Sequence, residues 1–390
     1  MKKIGILTHY YRSKNIGGLL QSYALAALLN ENQFHAEQIA FDYNFFTPQA
    51  KQCFRLLQME RLTLKKLWVH FCRLLAKPLR ARQARVNPAY IQTQQAKMAE
   101  FEQFIPHTPR PYNDTNIAQA DAMFDMFISG SDQVFASYLL PLSAYYGCFS
   151  APGKKVIAYA ASSDRKQFAP KAEKLFATKL ARFNALSVRE KTLKAYIERI
   201  TDKQATVVLD PTFLLSPQQW LQIANPAPVP PQPYIFCYFL GGKSIWQRQV
   251  VQAYADTYGY QVIHLPYITH ILRPADQYLK SPGRYDVGPR EFVALINGAQ
   301  CVFTDSFHGL AFSINFGKNF YVFDRNDQSG PESMNARITD TLATFGLTAR
   351  HITDKNARLD AAPLDFTKAH QILAQEKGKS ITWLLNALKD

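Results

Sequence analysis

The sequence predicts an α/β fold made of two doubly wound domains that face a cleft. Three observations lead there. Short apolar runs alternate with helical segments along most of the chain. Several of those runs are apolar throughout, as strands covered on both faces are. The same pattern then restarts after a proline-rich break. A length of 390 residues suits two domains, and a composition of 47% hydrophobic and 19% charged residues suits a sizeable core and excludes disorder as the main state.

Residues 3–8 read as the first strand, and the apolar part of this start is too short for a signal peptide. A loop holding Asn15-Ile16-Gly17-Gly18 follows, then a helix over Leu19–Asn32 and a strand over 34–43. That is the opening of a parallel sheet. A basic helical insertion at about 51–97 interrupts it. Apolar runs resume at 124–129, 155–161, 185–189 and 206–210, with helical segments at about 170–183 and 190–200. Asn225–Pro233 carries five prolines in nine residues, so it is a stiff, extended linker between a domain at 1–224 and a domain at 234–390. The second domain repeats the first: strand Tyr234–Leu240, a glycine pair, helix Ser244–Tyr258 and strand 260–265. Helix 289–298, strand 300–305, helix 308–316, strand 319–323 and helices near 335–346 and 366–388 complete it. In such sheets ligands bind beyond the carboxyl ends of the strands, and a cleft between two of them is the default site.

The net charge is +15, and residues 51–97 contribute +10 of it, eleven Lys and Arg against Glu60. In the same stretch Phe54, Leu57, Leu64, Trp68, Phe71 and Leu75 recur at helical spacing. A basic amphipathic helix of this kind either lies on a membrane surface or packs on its own domain with its cations solvated. Nucleic acid is disfavoured as a partner, because the chain holds no recognised nucleic-acid-binding motif. No apolar run approaches the roughly 18 residues of a membrane span. The cysteines, Cys53, Cys72, Cys148, Cys237 and Cys301, are odd in number and scattered, which argues against a disulfide framework or a structural zinc and for a reducing cytoplasm. No metal-ligand spacing such as H-E-x-x-H is present, so no metal is expected.

Four strand-to-helix junctions carry the candidate chemistry. Thr8–Gly18 holds Arg12, Asn15 and Gly17 in a turn that either exposes backbone amides to a polar ligand or simply starts a helix. Ser129-Gly130-Ser131-Asp132-Gln133 is either a ligand loop or a helix cap. Leu240-Gly241-Gly242-Lys243-Ser244 suits a phosphate but lacks the spacing of a Walker loop. Thr304-Asp305-Ser306-Phe307-His308-Gly309 puts a histidine at a helix N-terminus, where a cation opposes the dipole and an adjoining anion would be welcome. Arg189, at the end of a strand, either grips a carboxylate or phosphate or pairs with Glu190 or another acid.

Taken in order, the segments N-I-G-G-L-L-Q-S-Y-A-L (15–25), F-I-S-G-S-D-Q-V (127–134), A-Y-A-A-S (158–162), L-S-V-R-E-K (186–191), V-L-D-P-T (208–212), G-P-R-E-F-V-A-L-I (288–296), T-D-S-F-H-G-L-A-F-S (304–313) and N-A-R-I (335–338) resemble the polysaccharide pyruvyl transferase family. The resemblance implies two Rossmann-like domains arranged as in B-type glycosyltransferases. It also implies transfer of a pyruvyl group from phosphoenolpyruvate onto two hydroxyls of a sugar in a polysaccharide or its lipid-linked precursor, forming a ketal. No cofactor is implied beyond the donor itself, and the setting is the cytoplasm, with the inner face of the membrane as the place of a lipid-linked acceptor. By this analogy His308 matches a histidine that acts in catalysis and Arg189 an arginine that holds the donor. Protonating the enol ether of the donor needs a general acid, which suits His308, and Asp132 or Asp305 is the expected carboxylate to take the sugar proton. With Arg189, the residues Lys243, Gly241, Gly242, Ser306, Gly309, Arg325 and Arg337 are expected on the donor side, and Arg12, Asn15, Gly17 and Gln133 on the acceptor side. The chain departs from the pattern at Ser306-Phe307-His308, where better-known members read Arg-Leu-His; Lys243, Arg325 and Arg337 are the candidates to replace that charge. Two rivals are a B-type glycosyltransferase using a nucleotide sugar and a non-catalytic membrane or polyanion-binding module led by 51–97.

Overall fold

The computed structural model describes residues 1–59, 87–242, 244–267, 273–325 and 335–389. Two parallel sheets organise it. The first holds β1 (Lys3–Leu7), β2 (His35–Gln38), β3 (Met126–Ser129), β4 (Lys155–Ala161), β5 (Ala185–Val188) and β6 (Ala205–Val207), in the spatial order β2-β1-β3-β4-β5-β6. The second holds β7 (Tyr234–Tyr238), β8 (Gln261–Leu265), β9 (Cys301–Thr304), β10 (Phe320–Phe323) and β11 (His351–Ile352), in the order β11-β10-β9-β7-β8. All pairs are parallel. Gly5 lies between Glu37 and Phe127, and Cys237 between His264 and Phe303. The chain direction of winding therefore reverses between β1 and β3, and again between β7 and β9. Those are the two switch points at which doubly wound sheets open a ligand crevice.

Helices α1 (Ile16–Glu31), α2 (Pro48–Met59), α3 (Pro88–Glu102), α4 (Pro170–Leu180), α5 (Lys191–Ile200) and α6 (Pro217–Ile223) accompany the first sheet. Helices α7 (Ile245–Tyr258), α8 (Pro289–Gly298), α9 (Phe307–Phe316), α10 (Ala336–Phe345) and α11 (Thr367–Ala387) accompany the second. Helix α1 begins three residues before its predicted start. The Asn15 side chain accepts the Gly17 N–H at 3.1 Å and caps it, so the glycine pair lies inside the first turn rather than in a loop. The helix is buried almost all round. Ile16, Leu19, Leu20 and Ala24 share one apolar cluster with Phe292, Phe307, Leu310 and Phe312, so a single core runs across the domain boundary.

Two parts of the sequence reading change. Helix α11 does not stay with the second domain: Ala369 and Leu373 pack there, while Leu384 packs in the core of the first sheet and Trp383 lies against Tyr159. The end of the basic insertion is settled as packed structure. In α3, Ile91, Met98 and Phe101 are buried, Lys97 pairs with Glu291 at 3.0 Å, and Tyr90 stacks on Tyr285 at 4.7 Å, bracing the two domains together. Residues 60–86, with most of the insertion's charge, and Lys243 lie outside the described residues. No helix among the described residues is long and apolar enough to cross a membrane.

Candidate active site

A cavity of about 610 Å³ opens between the two switch points. His9 follows β1, Asp132 and Gln133 follow β3, Leu240 follows β7, and Ser306 and His308 follow β9. Arg12, Lys14, Arg325 and Arg337 also line it, so among the described residues four cations face it with one carboxylate, Asp132.

Asp132 is held in an unusual place. Its backbone sits at φ 66°, a left-handed conformation that costs a non-glycine residue on the order of 1 kcal/mol. A bulge in β4 near Ala160 lets the Asp132 carbonyl accept the Ser162 N–H at 3.0 Å, which secures the turn. The side chain then reaches the cavity, where Asn15 Nδ2 donates to it at 3.5 Å. Burial alone would raise the Asp132 pKa, but His308, Arg189, His9 and Arg337 outweigh it and hold the carboxyl below its ordinary range. Wherever His308 is neutral, Arg189 and Arg337, as permanent cations, carry that depression.

His308 stands in the first turn of α9, capped by Ser306, whose Oγ accepts the Gly309 N–H at 3.4 Å. Its ring fits against α1 only because residue 17 is glycine: a Cβ there would lie 1.9 Å from Nδ1. Nε2 is buried without a hydrogen-bond partner among the described residues and lies 4.0 Å from Asp210 Oδ1. Burial pushes the imidazole below its ordinary pKa, Asp210 and Asp132 pull it up, and Arg189 and Arg337 push it down. Asp210 is fixed from all sides. It accepts from Ser131 Oγ at 2.8 Å, Arg189 Nη1 at 2.7 Å, and the Thr212 N–H and Oγ1 at 2.9 and 2.7 Å.

Several expected site residues take other roles. Arg189 does not face the main cavity. Asp210 and Glu190 hold it, Phe307 stacks on it at 4.2 Å, and it borders a second cavity of about 230 Å³ behind the site. Asp305 is fully buried, and its two oxygens accept the Leu240 and Gly241 N–H groups at 2.6 and 2.7 Å, so it shapes the loop after β7 and is no base. Gly241 thereby has its amide occupied, and a Cβ on Gly242 would meet Arg273 at 2.7 Å; both serve close packing and neither lines the cavity. Gly309 likewise leaves room for Thr304 and lies off the cavity wall. Gly17 acts through His308, as described.

Arg12, Asn15, Gln133, Ser306, Arg325 and Arg337 do meet at the cavity. Arg337 is buried, and burial with the neighbouring Arg189 and Arg325 pushes its pKa down to about 10, the mark of a cation short of negative charge. With its amide turned to present the oxygen, Gln133 accepts from both Arg337 Nη atoms at 3.2 Å. Sequence reasoning missed Lys14, His9 and Asp210. The first two lie in the loop already marked after β1, and Asp210 is the acid of the V-L-D-P-T segment directly beyond β6.

A sequence model of the family described as polysaccharide pyruvyl transferase matches residues 15–327. No match is found among curated proteins. Among solved structures, UDP-GlcNAc 2-epimerase from Methanocaldococcus jannaschii superimposes with a TM-score of 0.51 at 10% identity, over 98% of this chain and 99% of that one. UDP-GlcNAc 2-epimerase from Neisseria meningitidis gives 0.44 at 11% identity over 97% and 100%, and a Streptomyces glycosyltransferase 0.41 at 10% over 99% and 100%. At 10% identity the likeness to the Methanocaldococcus jannaschii protein is one of fold, and the two parallel sheets of this chain, each covered by helices, are two Rossmann-like domains facing a cleft.

Proposed function

The chain belongs to the polysaccharide pyruvyl transferase family, and from that premise we propose that it moves a pyruvyl group from phosphoenolpyruvate onto two hydroxyls of a glycan or lipid-linked sugar, closing a cyclic ketal. One observation carries the reading. Among the described residues, a buried imidazole without a hydrogen-bond partner, His308, forms part of the wall of a cavity lined by Arg12, Lys14, Arg325 and Arg337 and by the carboxylate of Asp132. Phosphoenolpyruvate carries a carboxylate and a phosphate, each a ligand for guanidinium forks and ammonium groups. The cation lost at Ser306 is thus replaced by its neighbours.

Burial lowers the His308 pKa below its ordinary value and so favours the neutral ring. A bound polyanion reverses that balance and raises its pKa, so the imidazolium forms where the donor docks. It gives its proton to the methylene carbon, C3, of the donor. A sugar hydroxyl attacks C2 as Asp132, an anion at working pH, takes that hydroxyl's proton. The C2–O bond to phosphate then breaks, phosphate leaves with the electron pair, and the second hydroxyl closes on C2. The acceptor loses two protons: one restores the proton delivered to C3 and the other leaves on phosphate. The basic stretch 51–97 suits an acceptor presented on a lipid carrier.

Calorimetric titration with phosphoenolpyruvate, run in two buffers of different ionisation enthalpy, tests the donor. Binding with net proton uptake is expected, as is phosphate release once a sugar acceptor is added. Absence of binding at millimolar phosphoenolpyruvate, with UDP-sugar bound or cleaved instead, would overturn the reading in favour of a nucleotide-sugar donor.

A further inference from the structure

The main cavity has a second chemical character that pyruvyl transfer from a small anionic donor does not use. Tyr43, from the loop after β2, Tyr138, from the loop after β3, and Tyr267, from the loop after β8, line the same space as the cations. They come from both domains. Most large aromatic residues of this chain are buried, yet Tyr138 keeps 39% of its surface exposed. Among the buried tyrosines, Tyr159 and Tyr234 spend their hydroxyls on the Leu209 and Leu295 carbonyls, while Tyr10, Tyr145 and Tyr146 keep theirs unbonded among the described residues but sealed in the core, where no ligand reaches them. The hydroxyls of Tyr43, Tyr138 and Tyr267 bond to nothing among the described residues.

These rings are held, not loose. His9 stacks on the buried Tyr145 at 5.2 Å, meets Tyr43 edge-on at 5.3 Å and lies 6.4 Å from Tyr138. Its Nε2 is 3.2 Å from the carbonyl oxygen of Gln133, the residue next to Asp132. The Arg273 guanidinium lies over Tyr267 at 4.8 Å. Asn44 adds an amide beside them. A group of oriented aromatic faces with unused hydroxyls and an amide fits a ligand with an apolar face and a hydroxyl-studded rim.

We propose that Tyr43, Tyr138 and Tyr267 form the acceptor subsite, taking one pyranose ring so that two of its hydroxyls reach Asp132. This rests on the transferase reading above and names where its sugar lies. The expected acceptor side of Arg12, Asn15, Gly17 and Gln133 then gives way to the tyrosines, and Arg12 and Lys14 join the donor side.

Methyl pyranosides of glucose, galactose and mannose serve as probes, followed by saturation-transfer NMR with and without phosphoenolpyruvate. At least one is expected to bind, and Tyr138→Ala and Tyr43→Ala are expected to weaken it by roughly tenfold, with Tyr138→Phe retaining most of the affinity. The phosphoenolpyruvate affinity of the same variants should stay unchanged. Sugar binding that persists in both alanine variants overturns the subsite and leaves the donor reading intact. So does a wild-type protein that binds none of the three sugars, or one whose aromatic group takes uridine in their place. Sugar binding lost in the variants of a protein that ignores phosphoenolpyruvate upholds the subsite and removes the donor.

Discussion

Two buried imidazoles of the second domain make an informative pair. His264, in β8, and His308, at the start of α9, are both nearly inaccessible, and both have an Nε2 without a hydrogen-bond partner among the described residues. Each faces an aspartate, Asp276 at 3.7 Å for His264 and Asp210 at 4.0 Å for His308, and burial lowers the pKa of both. They differ in what lies beyond the ring. His264 faces an Asp276 tied to the buried Arg248 and is not among the residues that line the main cavity. His308 belongs to the cavity wall, and its aspartate comes from the other domain. An orphaned buried imidazole is thus not a functional signal in itself. It becomes one when a ligand can reach it and a second domain sets its charge.

Replacing each histidine breaks the pair most strongly. His308→Ala should lower turnover, read as phosphate release, by about 10³-fold, the usual range for removing a general acid, while phosphoenolpyruvate still binds. His264→Gln should leave turnover within about twofold, since it touches no reacting atom. Equal losses in the two variants would mean that His308 acts only through packing. Gly17→Ala sharpens the same point without touching the imidazole's chemistry. Its Cβ would fall 1.9 Å from Nδ1 and 2.2 Å from Cγ of His308, so the ring must move. A displacement of about 1 Å costs on the order of 10²-fold, while the overpacking itself costs about 1–3 kcal/mol of stability, so the folded protein should persist at about 25 °C with kcat reduced. Wild-type kcat in Gly17→Ala would show that ring position does not matter.

The aspartates give a smaller and more specific contrast. Asp210 pulls the His308 pKa up. Without its charge that pKa falls further, and a general acid must be protonated to act. Activity should therefore fall at a lower pH: in Asp210→Asn the basic limb of the kcat/KM profile moves downwards, with a loss of about tenfold at neutral pH. Asp276→Asn, beside His264, should leave the profile where it was. A shared shift, or none in Asp210→Asn, would unlink Asp210 from the imidazole.

The same contrast explains what could be read from the chain alone. Strand runs, the proline linker and the junction at Thr304–Gly309 are local patterns, and the two sheets follow from them. The departures depend on partners far away in sequence. Nothing near Asp305 announces that the Leu240 and Gly241 amides, some 65 residues earlier, occupy both its oxygens. Arg189 points as a strand-end residue should, yet Asp210 stands 21 residues on and neutralises it. Asp210 was legible by the rule that drew attention to Arg189, because it too follows a strand of the first sheet directly. The tyrosines were not, because single aromatic residues in loops carry no periodicity. Their one signal is position, in the segments that follow β2, β3 and β8.

The last effect concerns stability and leaves turnover alone, and it separates the two histidines by ligand. Burial holds the His264 pKa down to about 4, with Asp276 only partly opposing it, against about 6.5 in an unfolded chain. As pH falls from 6.5 towards 4, the unfolded state binds a proton that the folded state refuses, so stability present above pH 6.5 is lost across that window. The loss amounts to about 3 kcal/mol at about 1.4 kcal/mol per pH unit. Urea unfolding at several pH values between 7 and 4 should show a shallower acid decline in His264→Gln than in the wild type; parallel declines would remove His264 as the cause. His308 contributes in the same direction in the empty protein, but it has a cavity that an anion can fill. Phosphoenolpyruvate should therefore flatten the acid decline of the His264→Gln protein and fail to do so once His308 is also replaced, because only the imidazole at the cleft has its lost charge restored by a ligand.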